Sequence, residues 1–163
     1  MFSKCMKDNN MINHYLDVRN INKDNVTYSK YMLYKEKDIK TYLANLFNSA
    51  KPNDVIVITE AVVYEEDAFI NSAVSVYDKE HIRYYTVNEV LDIAKKYGRL
   101  NYFLQFKEVI SMEHMEDNSK KSEFISLLKA LPEHIQKAIN ITYENNEIIS
   151  YEQNIGIYIF TKI

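Results

Sequence analysis

The chain has 163 residues, of which 47% are hydrophobic and 26% charged, and its formal net charge is −3. That length suits one domain with a real core. The mild acidity argues against a binder held to nucleic acid by charge and against a strong acidic mimic of DNA. The single cysteine, Cys5, cannot form an intrachain disulfide, which fits a reducing cytoplasm. No apolar run approaches the roughly 20 residues needed to span a bilayer. The first ten residues lack the apolar core of a secretion signal.

Only two glycines are present, Gly98 and Gly156. Phosphate and nucleotide cradles bring backbone N–H groups close to the ligand, usually through several glycines. Two isolated glycines build neither a P-loop, a dinucleotide fingerprint nor a nucleophile elbow. Ile, Asn, Lys and Tyr are abundant, as AT-rich coding would give, so the expected source is a low-GC bacterium or one of its phages or plasmids. The 14 tyrosines are a second mark of this chain. Tyrosine offers large contact area at low entropic cost.

Taken in chain order, residues 1–25 read as a polar segment with a short helix around Met11, Ile12, Tyr15 and Leu16, ahead of a domain over 26–163. Val26–Tyr34 reads as a strand. Ile39, Tyr42, Leu43, Leu46 and Phe47 fall on one helical stripe. The β-branched run Val55–Ile58 predicts a strand buried on both faces that continues to Tyr64. Residues 67–77 fit helix or strand, and the acidic lead Glu65-Glu66-Asp67 tips the reading to helix through the helix dipole. His81–Tyr85 reads as a short strand. Thr86-Val87-Asn88-Glu89 matches a capping box, and Gly98 is placed at the left-handed closing position of that helix. Leu100–Met112 alternates as a strand, followed by a charged loop over 113–121 and helices around Phe124–Leu131 and after Pro132. The C-terminus reads as a meander: strands at Ile141–Tyr143, Ile148–Tyr151 and Ile155–Ile163, with a turn at Glu144–Glu147. The sum is a single α+β domain, with a mainly antiparallel or mixed sheet and helices against it.

Candidate chemistry is sparse. The four histidines form no HxH or HxxxH pair and there is no CxxC, so no metal site is expected. Glu60, inside a buried strand, and Glu108, breaking an apolar face, are the candidate acid–base pair, because a desolvated carboxylate acquires a raised pKa. Asp54 and Glu60, with Lys79 or Lys107, would also imitate the cluster of a metal-dependent nuclease, although the spacing matches no specific motif. For binding, Tyr64, Tyr84 and Tyr85 with the acidic Glu65, Glu66 and Asp67 would form a tyrosine-rich surface for a basic protein partner. The functional expectation is therefore a cofactor-free, non-catalytic accessory or inhibitor protein of a phage or mobile element, cytoplasmic, acting on a host nucleic-acid or defence enzyme. A small carboxylate-dependent hydrolase or nuclease and a weak nucleic-acid binder are the alternatives.

Overall fold

A computed structural model describes residues 6–64 and 69–163. Six strands form one mixed sheet. Its main path runs β1 (Val26–Lys30), β2 (Val55–Val63), β6 (Glu147–Lys162) and β4 (Gly98–Ser111); β3 (Tyr85–Thr86) also pairs with β2, and β5 (Thr142–Glu144) with β6. β1 and β3 lie parallel to β2, while β6 runs antiparallel to both β2 and β4. Around the sheet stand α1 (Met6–Val18), α2 (Ile39–Asn48), α3 (Ile70–Tyr77), α4 (Val87–Ala94), α5 (Asn118–Ala130) and α6 (Glu133–Ala138).

Nine buried residues in a row make β2 the central strand. Its side chains alternate between two cores. Ile56, Ile58 and Val62 join Tyr158 and Phe160 of β6 under Leu43 and Phe47 of α2 and Val90 and Ile93 of α4. On the other face, Val55 and Val57 meet Ile157 and Ile159 beneath Ile12 and Leu16 of α1. Ala61, Val63 and Ile155 pack with Ile70, Phe124 and Leu128 of α3 and α5. Helices thus cover both faces, and a parallel pair joined through a helix lies at the heart of the sheet. This corrects the α+β expectation: the domain is mixed α/β, with a parallel component that the C-terminal strands had obscured.

Local differences have local causes. β1 stops at Lys30 because Tyr31 adopts a left-handed φ of 52°, and a 3-10 turn over Leu33–Lys35 follows in place of more strand. The expected last two strands are one, β6, of 16 residues; polar Gln153 and Asn154 do not break it because both are buried within the sheet. The turn before it falls where predicted, with Asn145 and Asn146 at φ of 49° and 65°, values that suit a tight primed hairpin turn. The Thr86–Glu89 capping box is present in full. Residues 118–121, expected in a loop, open α5, with the Asp117 carboxylate accepting from the N–H groups of Ser119 and Lys120.

Gly98 does not close α4 in the left-handed region. Its φ is not positive, and it begins β4. Its lack of a side chain serves packing instead: a Cβ there would overlap the Phe47 ring and stand 3.0 Å from the Thr161 carbonyl oxygen. Phe47 is fully buried and meets Phe160 edge-on at 5.4 Å, so it has no room to yield. Gly98→Ala is expected to lower the unfolding free energy by about 1–3 kcal/mol, measured by urea denaturation; an unchanged midpoint would show that the Phe47 contact is slack.

Candidate functional site

On one side of β2, β1 pairs only as far as Thr59 and β3 begins only at Val62. Glu60 and Ala61 therefore face a gap in the ladder. The left-handed Tyr31 turns the chain across this gap while its N–H still donates to the Thr59 carbonyl at 2.8 Å. The amides that follow are thereby brought to the Glu60 carboxyl. The Tyr34 N–H donates to Glu60 Oε2 at 3.3 Å.

Glu60 is 2% exposed. Burial pushes its carboxyl up to about 8, against the hydrogen bonds of the Leu33, Met32 and Tyr34 amides, which favour the charged form. Opposite Glu60 on β6 stands Gly156, which leaves its side of the pair to the rings of Phe103 and Tyr158. Glu60 Oε1 and the hydroxyls of Tyr84 and Tyr158 are buried without a hydrogen-bond partner among the described residues. Both hydroxyls feel the Glu60 charge, and burial raises both well above the ordinary tyrosine value.

His81 completes the cluster. Asn71 Oδ1 accepts from the Tyr84 N–H at 2.6 Å and lies 2.9 Å from His81 Nε2. Since that oxygen can only accept, Nε2 carries the proton and Nδ1 is left as a buried acceptor without a partner among the described residues. Burial pushes the His81 imidazole down to about 4, so it is neutral at pH 7. The Tyr34 ring stacks on His81 at 5.7 Å, and His81 meets Tyr84 edge-on at 4.5 Å. At the rim, Lys35 pairs with Glu80 and lies over the Tyr34 ring, while Arg83 lies 4.2 Å from the Tyr85 ring centre and pairs with Glu89. The arrangement is a buried aromatic cluster holding a neutral carboxyl and a neutral imidazole. It can take or give a proton near pH 7 without first stripping water from a charge.

The structure separates the sequence-predicted residues. Glu60 and Glu108 do not form a pair. Glu60 stands opposite Gly156 and Glu108 opposite Gln153, three residues along the same strand, so their side chains leave the sheet on opposite faces. Asp54 sits at the other end of β2, where its carboxylate accepts from the Lys51 N–H, and Lys107 pairs with Glu152. Tyr84 and Tyr85 are 1% and 4% exposed, so they line the interior and offer no contact surface. Tyr64 is exposed, with its hydroxyl donating to Gln105. Glu65, Glu66 and Asp67 lie outside the described residues. Sequence reasoning missed Asn71 and Tyr34. The available signal was that a carboxylate in a buried strand must meet backbone amides from a neighbouring turn. Among the described residues, no three His, Cys, Asp or Glu side chains gather as a metal cluster, and no helix is long and apolar enough to cross a membrane.

No protein-family profile and no curated protein sequence matches the chain. Solved structures do. A candidate methyltransferase from Bacillus halodurans C-125 superposes with a TM-score of 0.77 at 16% identity, over 85% of this chain and 69% of that one. The YcgJ protein of Bacillus subtilis superposes with a TM-score of 0.77 at 14% identity, over 85% of this chain and 63% of its own. At these identities the likeness is one of fold. It nevertheless overturns the expectation of a cofactor-free, non-catalytic inhibitor, because the chain shares its fold with a candidate methyltransferase.

The two shifted groups give opposite pH signatures. Glu60, raised from 4.5 to about 8, holds its proton in the folded state across that window, so it removes stability as pH rises through it. His81, lowered from 6.5 to about 4, adds stability as pH rises between those values. The two offset each other up to pH 6.5; above it Glu60 acts alone. Unfolding free energy is expected to fall between pH 6.5 and 8 at a slope approaching about 1.4 kcal/mol per pH unit, and Glu60→Gln should flatten that limb in chemical denaturation series. A limb that persists in the variant would assign the titration to another group.

Proposed function

We propose that this chain is the acceptor side of a methyltransferase: the crevice around Glu60 holds the small molecule that receives the methyl group, and Glu60 takes the proton that molecule gives up. The observation that carries this reading is a buried carboxyl, with one oxygen unpartnered among the described residues, at the carboxyl end of the central parallel strand. Ligands of open parallel sheets bind at that end. The shared scaffold supplies the reaction class.

The roles follow from the geometry. The turn amides at Met32–Tyr34 fix the carboxyl, so that Oε1 is the atom left for the acceptor. A group that titrates near 8 is well matched to remove a proton from an alcohol, amine, phenol or thiol at neutral pH, once its ionised fraction meets the acceptor. Neutral His81 presents Nδ1 as a second acceptor, oriented by Asn71. Tyr34, Tyr84 and Tyr158 supply apolar walls with hydroxyl tips, suited to a small acceptor with a flat or partly apolar body.

The methyl donor of such enzymes is nucleoside-linked, and its phosphate-free but polar backbone still needs close approach of protein main chain. These residues do not fit that need. Gly98 and Gly156 both lie inside strands, where Cβ atoms would press on Phe47 or on Phe103, Tyr158 and Val62. The turn after β1 is built from Tyr31, Met32, Leu33 and Tyr34; the Tyr31 amide is turned to Thr59 and the other three to Glu60. No step through the donor is assigned to this chain.

The acceptor reading is tested without any donor. Titration of tyrosine-labelled protein with primary amines, alcohols, phenols and thiols should move NMR signals of Tyr34, Tyr84 and Tyr158 together, and Glu60→Gln should weaken the responding compound at least tenfold. Shifts confined to the groove of about 280 Å³ between α1 and β4, lined by Met11, Tyr15 and Tyr102 among others, would place small-molecule binding elsewhere and sink the proposal.

A further inference from the structure

β4 forms one edge of the sheet. Among the described residues it pairs from end to end with β6 alone, and no backbone hydrogen bond from outside the sheet reaches residues 99–110. α1 lies on one face of this strand, where Tyr15 stacks on Tyr102 at 5.3 Å. It leaves the margin uncovered among the described residues: Leu100, Tyr102 and Val109 are exposed, and the groove of about 280 Å³ runs beside Val18, Tyr102 and Leu104. A long bare edge of this kind pairs with another strand unless its side chains forbid it.

The side chains of β4 are self-complementary about Leu104. Residues opposite each other in a sheet share a face, so each β4 residue is placed by the β6 residue it meets. Arg99, Tyr102, Leu104, Phe106 and Glu108 meet Thr161, Ile159, Ile157, Ile155 and Gln153, every second residue of β6, so all five stand on the α1 face. The extra residue at Asn101, where the ladder shifts register, brings Arg99 onto that face. Arg99 is exposed and joins no ion pair among the described residues. Two copies of β4 set antiparallel about a two-fold axis through Leu104 place Leu104 on Leu104, Tyr102 on Phe106 and Arg99 on Glu108. On the other face the same axis sets Phe103 on Gln105 and Leu100 on Lys107. The next registers that keep the faces matched set Tyr102 against Glu108, or Phe106 against Arg99, and each loses both charge pairs.

We infer that the β4 edge joins a second copy of this chain, in an antiparallel two-fold pairing centred on Leu104 that runs two sheets into one. Backbone pairing supplies the attachment, as in strand addition to other sheet edges. The charges choose the occupant. Charged residues on an edge guard it against unselected strands, and here Arg99 and Glu108 find opposite charges when the incoming strand is β4 itself. The incoming margin also closes the groove, which lies along Tyr102 and Leu104 at the centre of the pairing. The inference goes beyond the acceptor reading and does not rest on it, since neither Glu60 nor His81 takes part.

Sedimentation equilibrium of the chain should show a species of twice its 19.3 kDa at concentrations on the order of 100 µM, and added salt should weaken it. Arg99→Glu and Glu108→Arg should each weaken self-association at least about tenfold, because each sets like charges opposite one another at both ends of the pairing. An equimolar mixture of the two variants should regain the dimer, since both of its end pairs are then of opposite charge. Thermal melts establish that each variant is folded. Glu108 is half-buried, so its variant is the one at risk; amide exchange of the wild type needs no variant, and should slow with rising concentration in β4 and not in β1. A wild type that stays monomeric to millimolar concentration overturns the inference. So does a dimer as strong in Arg99→Glu as in the wild type, a mixture of folded variants that stays monomeric, or concentration-dependent protection that spares β4.

Discussion

The structure turns on one carboxyl group buried where a strand ladder is interrupted. Glu60 lies in the central strand, flanked along it by residues that are wholly apolar on its own face. An ionised carboxylate there would cost several kcal/mol to desolvate. The chain meets that cost by keeping the group neutral and by turning three backbone amides towards it. The turn that supplies them depends on Tyr31, a bulky residue at positive φ, a conformation whose cost is of order 1–3 kcal/mol. Strain of this kind persists only where its surroundings over-determine it. Here the surroundings are the Tyr31–Thr59 backbone bond, the buried Leu33 and Tyr34, and Glu60 itself.

From that point the rest of the crevice follows. Because β1 stops and β3 starts late, β2 has a stretch without a neighbouring strand on that side, and aromatic side chains fill the space. Tyr84, Tyr158 and Tyr34 surround the carboxyl, and Asn71 fixes His81 as a neutral base by accepting from both its ring and the Tyr84 amide. Gly156 lets β6 pass close to Glu60 while Phe103 and Tyr158 close over it. The purely structural account of Glu60, as a cap for a turn, explains Oε2. It does not explain an unpartnered Oε1 beside two unpartnered tyrosine hydroxyls and an unpartnered imidazole nitrogen among the described residues. That surplus of buried polar atoms distinguishes a site from a core.

Much of the fold was legible in the residues. The apolar run of β2, the stripe of α2 and the Thr86–Glu89 capping box each follow from local pattern and physics, and each lies where read. What was not legible is non-local. The apolar run of β2 carries the mark of a strand covered on both faces, but Val26–Lys30 carries no mark of its parallel pairing with it, so an α/β sheet read as α+β. Gly98 reads as a helix terminator until Phe47, distant in the sequence, is seen to need its missing Cβ. For the site, Glu60 was legible because a charge in a β-branched run is conspicuous, whereas Glu108 misled because a break in alternation says nothing about which face it shares with a distant residue. Tyr84 and Tyr85 misled for a related reason: tyrosine composition does not separate a ring that seeks a partner from one that lines an interior. The scarcity of glycine was informative in a way that the composition did not reveal. It reflects packing: Gly98 and Gly156 both stand where a Cβ would press on neighbouring side chains, in a fold shared with a candidate methyltransferase.

The account stands on Glu60 being neutral and buried in the free protein, and carbon-detected NMR titration of its side-chain carboxyl measures this directly. The predicted midpoint is about 8, unmoved by salt that screens surface charges. A midpoint near 4.5, the ordinary value for a glutamate, would mean that water reaches the carboxyl and that the crevice is not the proton-handling site described above.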